Sequence, residues 1–188
     1  GLLCRTRLGD AATRLLTRIA DVRDAQAMQA LLSDFAPHVI YHAAAYKHVP
    51  VMEVQPEAAW HTNVLGTANV IAAAQQAKTE TFVLISTDKA VNPTSVMGAS
   101  KRMAELVVRS IGEGEGMNCV ITRFGNVLDS NGSVIPLFRR QIEAGGPLTL
   151  THPDVTRYFM TIPEAVQLVM EAAATSKGDD IFVFDMGE

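Results

Sequence analysis

A chain of 188 residues, 48% hydrophobic and 19% charged, has the composition of an ordinary globular protein and the length to bury one sizeable core. Its formal charge of −4 and its pI near 5.7 leave no global basic field, which excludes bulk nucleic-acid binding but not a local pocket for a small anion. Two cysteines, Cys4 and Cys119, make no disulfide framework and read as reduced thiols of a cytosolic protein, and no run reaches the roughly 18 apolar residues of a membrane span.

The opening "GLLCRTRLGDAATRLL" lacks an initiator Met, a signal peptide and a glycine-rich phosphate loop, so the chain reads as a fragment with a segment missing before it. "ADVRD" (Ala20–Asp24) follows a short apolar run. Asp24 stands where it can cap the helix "AQAMQALL", and the same turn offers Asp21 as an acceptor for an adenine amino group; spacing alone favours the cap. "HVIYHAAA" (His38–Ala45) predicts a buried strand running into a small-residue loop, where Ala43, Ala44 and Ala45 either pack tightly or let a flat ligand approach. A helix is predicted from Pro56, which suits a first helical turn, and "TFVLIST" (Thr81–Thr87) is a second buried strand.

Val96–Ile111 predicts a further helix, ended by glycines at 112, 114 and 116, and "NCVITRF" (Asn118–Phe124) a third strand. Beyond it come a helix near Val134–Ala144, a short strand "LTLT", a helix near Pro163–Ala174 and a strand "IFVFD". Strands alternating with helices predict a single α/β domain with a doubly wound parallel sheet. Ligands of such sheets sit beyond the carboxyl ends of the strands. Four segments lie there: "ADVRD", "AAAYKHV", "STDKA" and "RFGNVLDSNGS".

Asp88 and Lys89 close a buried strand. Partial desolvation there is expected to raise the carboxyl pKa and lower the amine pKa, bringing an acid and a base toward neutrality for proton transfer at two neighbouring atoms. The bland alternative on these residues alone is a solvated surface ion pair. Lys101 lies one turn beyond Met97 and is either a solvated helix lysine or the holder of a ribose hydroxyl pair.

The motifs "HAAAYKHVPVME", "NVLGT", "STDKAVNPTSVMGASKR", "RFGNVLDSNGSVIPLF" and "THPDVTRYFMTIPEA", five in order from about Ile19 onward, resemble those of polysaccharide-biosynthesis UDP-N-acetylglucosamine 4,6-dehydratases, within the extended short-chain dehydrogenase/reductases. The resemblance implies a Rossmann-like catalytic domain over residues 1–188, its amino-terminal glycine loop missing, with nucleotide-sugar elements mainly in 124–188. It implies NADP, with NAD as the alternative, at Asp21, Val22, Ala43, Ala44, Ala45 and Lys101, and weak cofactor binding by this segment alone. Lys89 would remove the sugar carbon 5 proton, and Asp88 would protonate the departing carbon 6 hydroxyl. Thr87 would hydrogen-bond the substrate hydroxyl, and Lys47, Asn126, Ser133 and Arg157 would bind the nucleotide sugar. Met97 stands where the wider superfamily has a tyrosine. A thioether has no proton to give, so the carbon 4 proton needs another route, for which Asp88 is the candidate; the other reading is that Met97 only fills space.

Asp129 stands where the resembling proteins more often have Gly, and His48 reads as structural. A UDP-sugar epimerase is the nearest rival, and a non-catalytic nucleotide-sensing module the rival of another class. No metal site is expected. The implied setting is cytoplasmic, as a homo-oligomer binding a UDP-sugar and no nucleic acid, with a membrane tether in a preceding region.

Overall fold

The computed structural model describes residues 15–112, 116–128, 130, 134–150, 152, 154 and 158–186. Helix α1 (Ala25–Phe35) begins as its sequence dictates, with the Asp24 carboxylate accepting from Ala27 N at 3.0 Å, and ends where Ala36 turns left-handed. It presents Met28 to the core. Strand β1 (Val39–His42) runs into the expected small-residue loop at Ala43–Ala45, but it is not the buried strand expected: as an edge strand it buries only His42 and leaves Val39 and Tyr41 exposed. A short helix α2 (Val49–Val54) follows, with Pro50 in its first turn.

The helix expected from Pro56 forms, but not as one α-helix. It starts as α3 (Pro56–Ala59), widens into a π-helical turn (Trp60–Leu65) and continues as α4 (Gly66–Gln76). Then come β2 (Thr81–Ile85), a 3₁₀ turn (Asp88–Ala90), α5 (Val96–Gly112) and β3 (Asn118–Arg123). The last part holds β4 (Asn126–Val127), α6 (Val134–Glu143), β5 (Phe159–Met160), α7 (Ile162–Thr175) and β6 (Ile181–Val183). Helix α7 opens with a capping box in which Thr161 and Glu164 satisfy each other's backbone amides.

All four main strands pair in parallel in the order β1-β2-β3-β6, with Val39 beside Thr81, Thr81 beside Asn118 and Ile121 beside Ile181. Side chains alternate across this sheet. Phe82, Leu84, Cys119 and Ile121 meet Met28, Val70, Ile71, Ala104 and Val108 of α1, α4 and α5 on one face. On the other face Val83 and Val120 meet Val169 and Ala172 of α7. Helices on both faces make the sheet doubly wound, as the alternating pattern requires. Its β1 end is open: no strand among the described residues pairs with that edge, and Val39 and Tyr41 lie exposed.

Of the strand expected at "LTLT", the described residues 148–150 form none. Residues 148–150 are exposed irregular chain, since alternation makes a strand only where a sheet is at hand to bury one face. The second sheet is instead a two-residue parallel pairing, Asn126 with Phe159 and Val127 with Met160, which no hydrophobic pattern announces.

Candidate functional site

The site is built where β2 and β3 end together. Beyond the last regular pairing, Ser86 N still donates to Thr122 O at 2.7 Å and Asp88 N to Phe124 O at 3.1 Å, so "STDKA" and "RFGN" leave the sheet side by side. Thr87, in extended conformation, caps the 3₁₀ turn. Its hydroxyl donates to Asp88 Oδ1 at 2.8 Å, and Lys89 Nζ donates to the same oxygen at 2.9 Å. Asp88 is half-exposed and Lys89 is one-third exposed, so the three groups share one cluster open to a ligand.

One expectation is reversed here. Partial desolvation does push the Asp88 carboxyl upward, but the hydrogen bonds from Lys89 and Thr87 outweigh it and hold the group below the usual carboxylate value. Asp88 is therefore an ionised acceptor at neutral pH rather than a preformed acid.

Helix α5 is pressed against this turn. A Cβ on Gly98 would lie 2.3 Å from the Lys89 carbonyl oxygen, a separation only glycine permits. Lys101, one turn on, is buried and donates from Nζ to Ile85 O at 2.6 Å, just before Ser86. Burial pulls its amine down to about 8, with the Glu105 carboxylate working the other way. His42, at the end of β1, is buried with its Nε2 3.0 Å from Thr67 Oγ1. Burial and then the Lys101 charge push it down to about 4, so it is neutral. Met97, by contrast, turns away from solvent into an apolar cluster with Met52 and Ala59.

Four residues that the sequence did not single out hold this geometry. Asn63, in the π-helical turn, donates to Tyr46 O and Ser100 Oγ, both at 2.9 Å, and accepts from Tyr46 N at 2.7 Å. That ties the loop after β1 to α5, and π turns recur at functional sites for such reasons. Glu53 caps α5 from outside, its Oε1 accepting from Val96 N at 2.8 Å. Ser86 donates to Glu105 at 2.6 Å, and Glu105 is fully buried. The one sequence signal for Glu105 was a carboxylate four residues after Lys101, on the same helix face.

Of the expected cofactor residues, Ala43 and Ala44 are exposed and Ala45 half-buried, leaving a flat, open loop after β1. Asp21 is engaged bidentately by Arg23, whose hydrogen bonds hold its carboxyl down to about 2, and Val22 O accepts from Asn69 Nδ2 at 3.0 Å. Asp24 is the cap. On the other side, Asn126, Asp88, Arg123, Gly125 and Tyr158 line a cleft of about 340 Å³. Lys47 Nζ reaches Ser130 Oγ at 3.3 Å, bringing the loop after β1 to the loop after β4. Burial lowers the Lys47 amine. Ser133, Arg157 and Asp129 lie outside the described residues. No cluster of three or more His, Cys, Asp or Glu that could hold a metal occurs among the described residues. No described helix is long and apolar enough to cross a membrane.

The arrangement fits a dinucleotide. A buried amine with a single hydrogen bond to a backbone carbonyl among the described residues retains donors for ribose hydroxyls, and the exposed Ala43 and Ala44 after β1 leave room for a flat ring.

Comparison with known proteins shows the family and the fold. The family described as "Polysaccharide biosynthesis protein" matches residues 5–188. The probable polysaccharide biosynthesis protein EpsC of Bacillus subtilis is 59% identical over 92% of this chain, which spans 29% of that protein's length. A UDP-glucose 4-epimerase of Rickettsia canadensis is 42% identical over 94% of the chain and 52% of its own length. In structure, a double mutant of DesIV, a dTDP-glucose 4,6-dehydratase from Streptomyces venezuelae with NAD bound, superposes with a TM-score of 0.87. At 24% identity, over all of this chain and 63% of DesIV, that likeness is one of fold, the Rossmann-like α/β sheet.

Proposed function

We propose that this chain, which belongs to the polysaccharide biosynthesis protein family, is the catalytic part of a nucleotide-sugar 4,6-dehydratase acting on UDP-N-acetylglucosamine. The observation that carries the reading is the Thr87–Asp88–Lys89 cluster: a hydroxyl and an amine, both bonded to one carboxylate oxygen at the end of β2. Dehydration across carbons 5 and 6 of a 4-ketosugar needs a base for one carbon and an acid for the next, and adjacent residues of opposite type supply both.

A nicotinamide dinucleotide, held by Lys101 and the small-residue loop after β1, would supply the hydride acceptor for carbon 4 and the hydride donor for carbon 6. The chain's own groups move the protons. Thr87, already donating to Asp88, accepts from the carbon 4 hydroxyl, and the proton passes to the ionised Asp88. Lys89 takes the carbon 5 proton made acidic by the new ketone. Asp88 then gives its proton to the carbon 6 hydroxyl, which leaves as water, and Lys89 returns the proton to carbon 5. The low Asp88 pKa supports this order: the group begins as a base and becomes the acid only after it has been loaded. Met97 takes no part in this route, and its place in an apolar cluster supports the space-filling role.

Lys101 orients the ribose, Asp21, Val22 and Ala43–Ala45 line the adenosine side, and Lys47, Asn126, Ser133 and Arg157 take the nucleotide sugar. NAD in the Streptomyces dehydratase supports NAD; NADP rests on motif resemblance alone. Retention at carbon 5 and a cytoplasmic setting, with the membrane tether elsewhere in the protein, belong to the same reading.

The test is the full-length protein with UDP-N-acetylglucosamine in deuterium oxide, followed by proton NMR. The expected product is a 4-keto-6-deoxy sugar carrying deuterium at carbon 5. The Rickettsia relative favours a second reading, a 4-epimerase, which would give the galacto sugar with no loss of water. Unchanged substrate in the presence of bound dinucleotide would sink both and favour a sensing module.

A further inference from the structure

The cleft, the cofactor loop and the proton-transfer cluster leave one conspicuous group unused: Glu105, a carboxylate with no exposed surface in the middle of α5. An isolated buried charge is costly, so its partners matter. Oε1 accepts from Ser86 Oγ at 2.6 Å and from Arg123 Nε at 2.8 Å. Oε2 accepts from Arg123 Nη2 at 2.5 Å and from Arg102 Nη1 at 2.9 Å. One carboxylate thus joins three elements: its own helix, the first residue beyond β2 and the last residue of β3.

Both strand connections lead into the site. Ser86 immediately precedes Thr87 and Asp88, while Arg123 lines the cleft shared with Asp88 and precedes Phe124, whose carbonyl receives Asp88 N. Lys101, one turn before Glu105 on α5, holds Ile85 O, so the helix grips two consecutive residues of the β2 end. We propose that Glu105 is the positioning residue of this site, a buried carboxylate that fixes the β2 and β3 ends against α5 and so sets where Asp88, Lys89 and Lys101 stand relative to one another. The inference rests on the dehydratase reading for what is positioned, and on the hydrogen bonds alone for how.

Glu105 also acts on Lys101 through space. The charged and titratable groups on the elements around that amine are neutral His42 on β1, Asp88 and Lys89 beyond β2, Arg123 on β3, and Arg102 and Glu105 on α5 itself. Glu105 is the carboxylate that raises the Lys101 pKa against burial. Removing its charge removes the one named cause that offsets burial, so the amine moves toward neutrality.

The experiment compares wild type, Glu105→Gln and Ser86→Ala in the full-length protein. Two readings are made: steady-state turnover with UDP-N-acetylglucosamine, and an NMR titration of ¹³Cε-labelled lysine that follows Lys101 without turnover. Glu105→Gln, matched in shape, is expected to move the Lys101 midpoint below its wild-type position near 8. It should also lower kcat, with a ceiling of about a hundredfold for a misplacement near 1 Å, while KM changes little. Ser86→Ala removes only the tie to β2, so it should lower kcat and leave the Lys101 midpoint alone. A folded Glu105→Gln with wild-type midpoint and kcat would overturn the proposal. If that variant does not fold, Ser86→Ala decides by kcat at unchanged melting temperature. Should wild type make no keto sugar, the dehydratase reading fails, while the titration still judges Glu105.

Discussion

At the scale of single residues, the direction of a pKa decides roles that residue type leaves open. Asp88 and Lys89 look like an acid and a base ready-made, yet two hydrogen bonds to one oxygen leave Asp88 ionised. Asp88→Asn keeps the size and loses the proton relay, so dehydration should fall by about 10² to 10⁴ while the melting temperature stays put; an unchanged rate would remove Asp88 from the mechanism. His42 gives a stability prediction. Its folded pKa of about 4 lies below the ordinary 6.5, so the unfolded chain binds the extra proton as pH falls through that interval. Stability should therefore drop by up to about 3 kcal/mol from pH 6.5 to 4, one pKa unit being roughly 1.4 kcal/mol. Melting temperatures of wild type and His42→Gln across that interval would converge or cross, whereas parallel curves would show that His42 does not titrate there.

At the scale of elements, the contact between α5 and the turn after β2 sets the geometry of the proposed site. Gly98 makes that approach possible, and Ala in its place must displace either the helix or the Lys89 carbonyl. Overpacking of this kind costs typically 1–3 kcal/mol, and here it also shifts Lys89. Gly98→Ala is expected to lose both melting temperature and turnover, and full turnover in this variant would show that the approach is not required. The π-helical turn is a second device at this scale. It aims Asn63 at both Tyr46 and Ser100, which a regular helix would not be required to do. Nothing in "WHTNVL" distinguishes it from its helical surroundings, because the extra residue per turn is stabilised by partners 17 and 37 positions away.

At the scale of the molecule, apolar side chains stay exposed on several elements of the described residues, Ile162, Val166 and Met170 of α7 among them, and two groups lie near the site. The first is the open β1 edge with Val39 and Tyr41. The other spreads over neighbouring segments, with Val51 and Val54 on α2, Trp60 in the π turn, and Met103 and Leu106 on α5, all exposed. Exposed apolar residues on neighbouring helices are the surface on which the homo-oligomer implied by the family resemblance is tested. Leu106→Asp should turn a sedimenting dimer of the full-length protein into a folded monomer. A wild type that already sediments as a monomer would leave the patch to another partner.

The sequence by itself determined the alternation of strands and helices, the Asp24 cap and the placement of "STDKA" beyond a buried strand. Each follows from periodicity and capping over a few neighbouring residues, and such local preferences are written locally. It did not determine that residues 148–150 would stay outside any sheet, that Asn126–Val127 would pair with Phe159–Met160, or that Met97 would face Met52. Nor did it show that Glu105 would be buried among Ser86, Arg102 and Arg123. Those outcomes depend on which surfaces long loops bring together, and a carboxylate on a helix reads the same in solvent as in the core. Only tertiary structure supplied the cations and the hydroxyl that allow that charge to be buried.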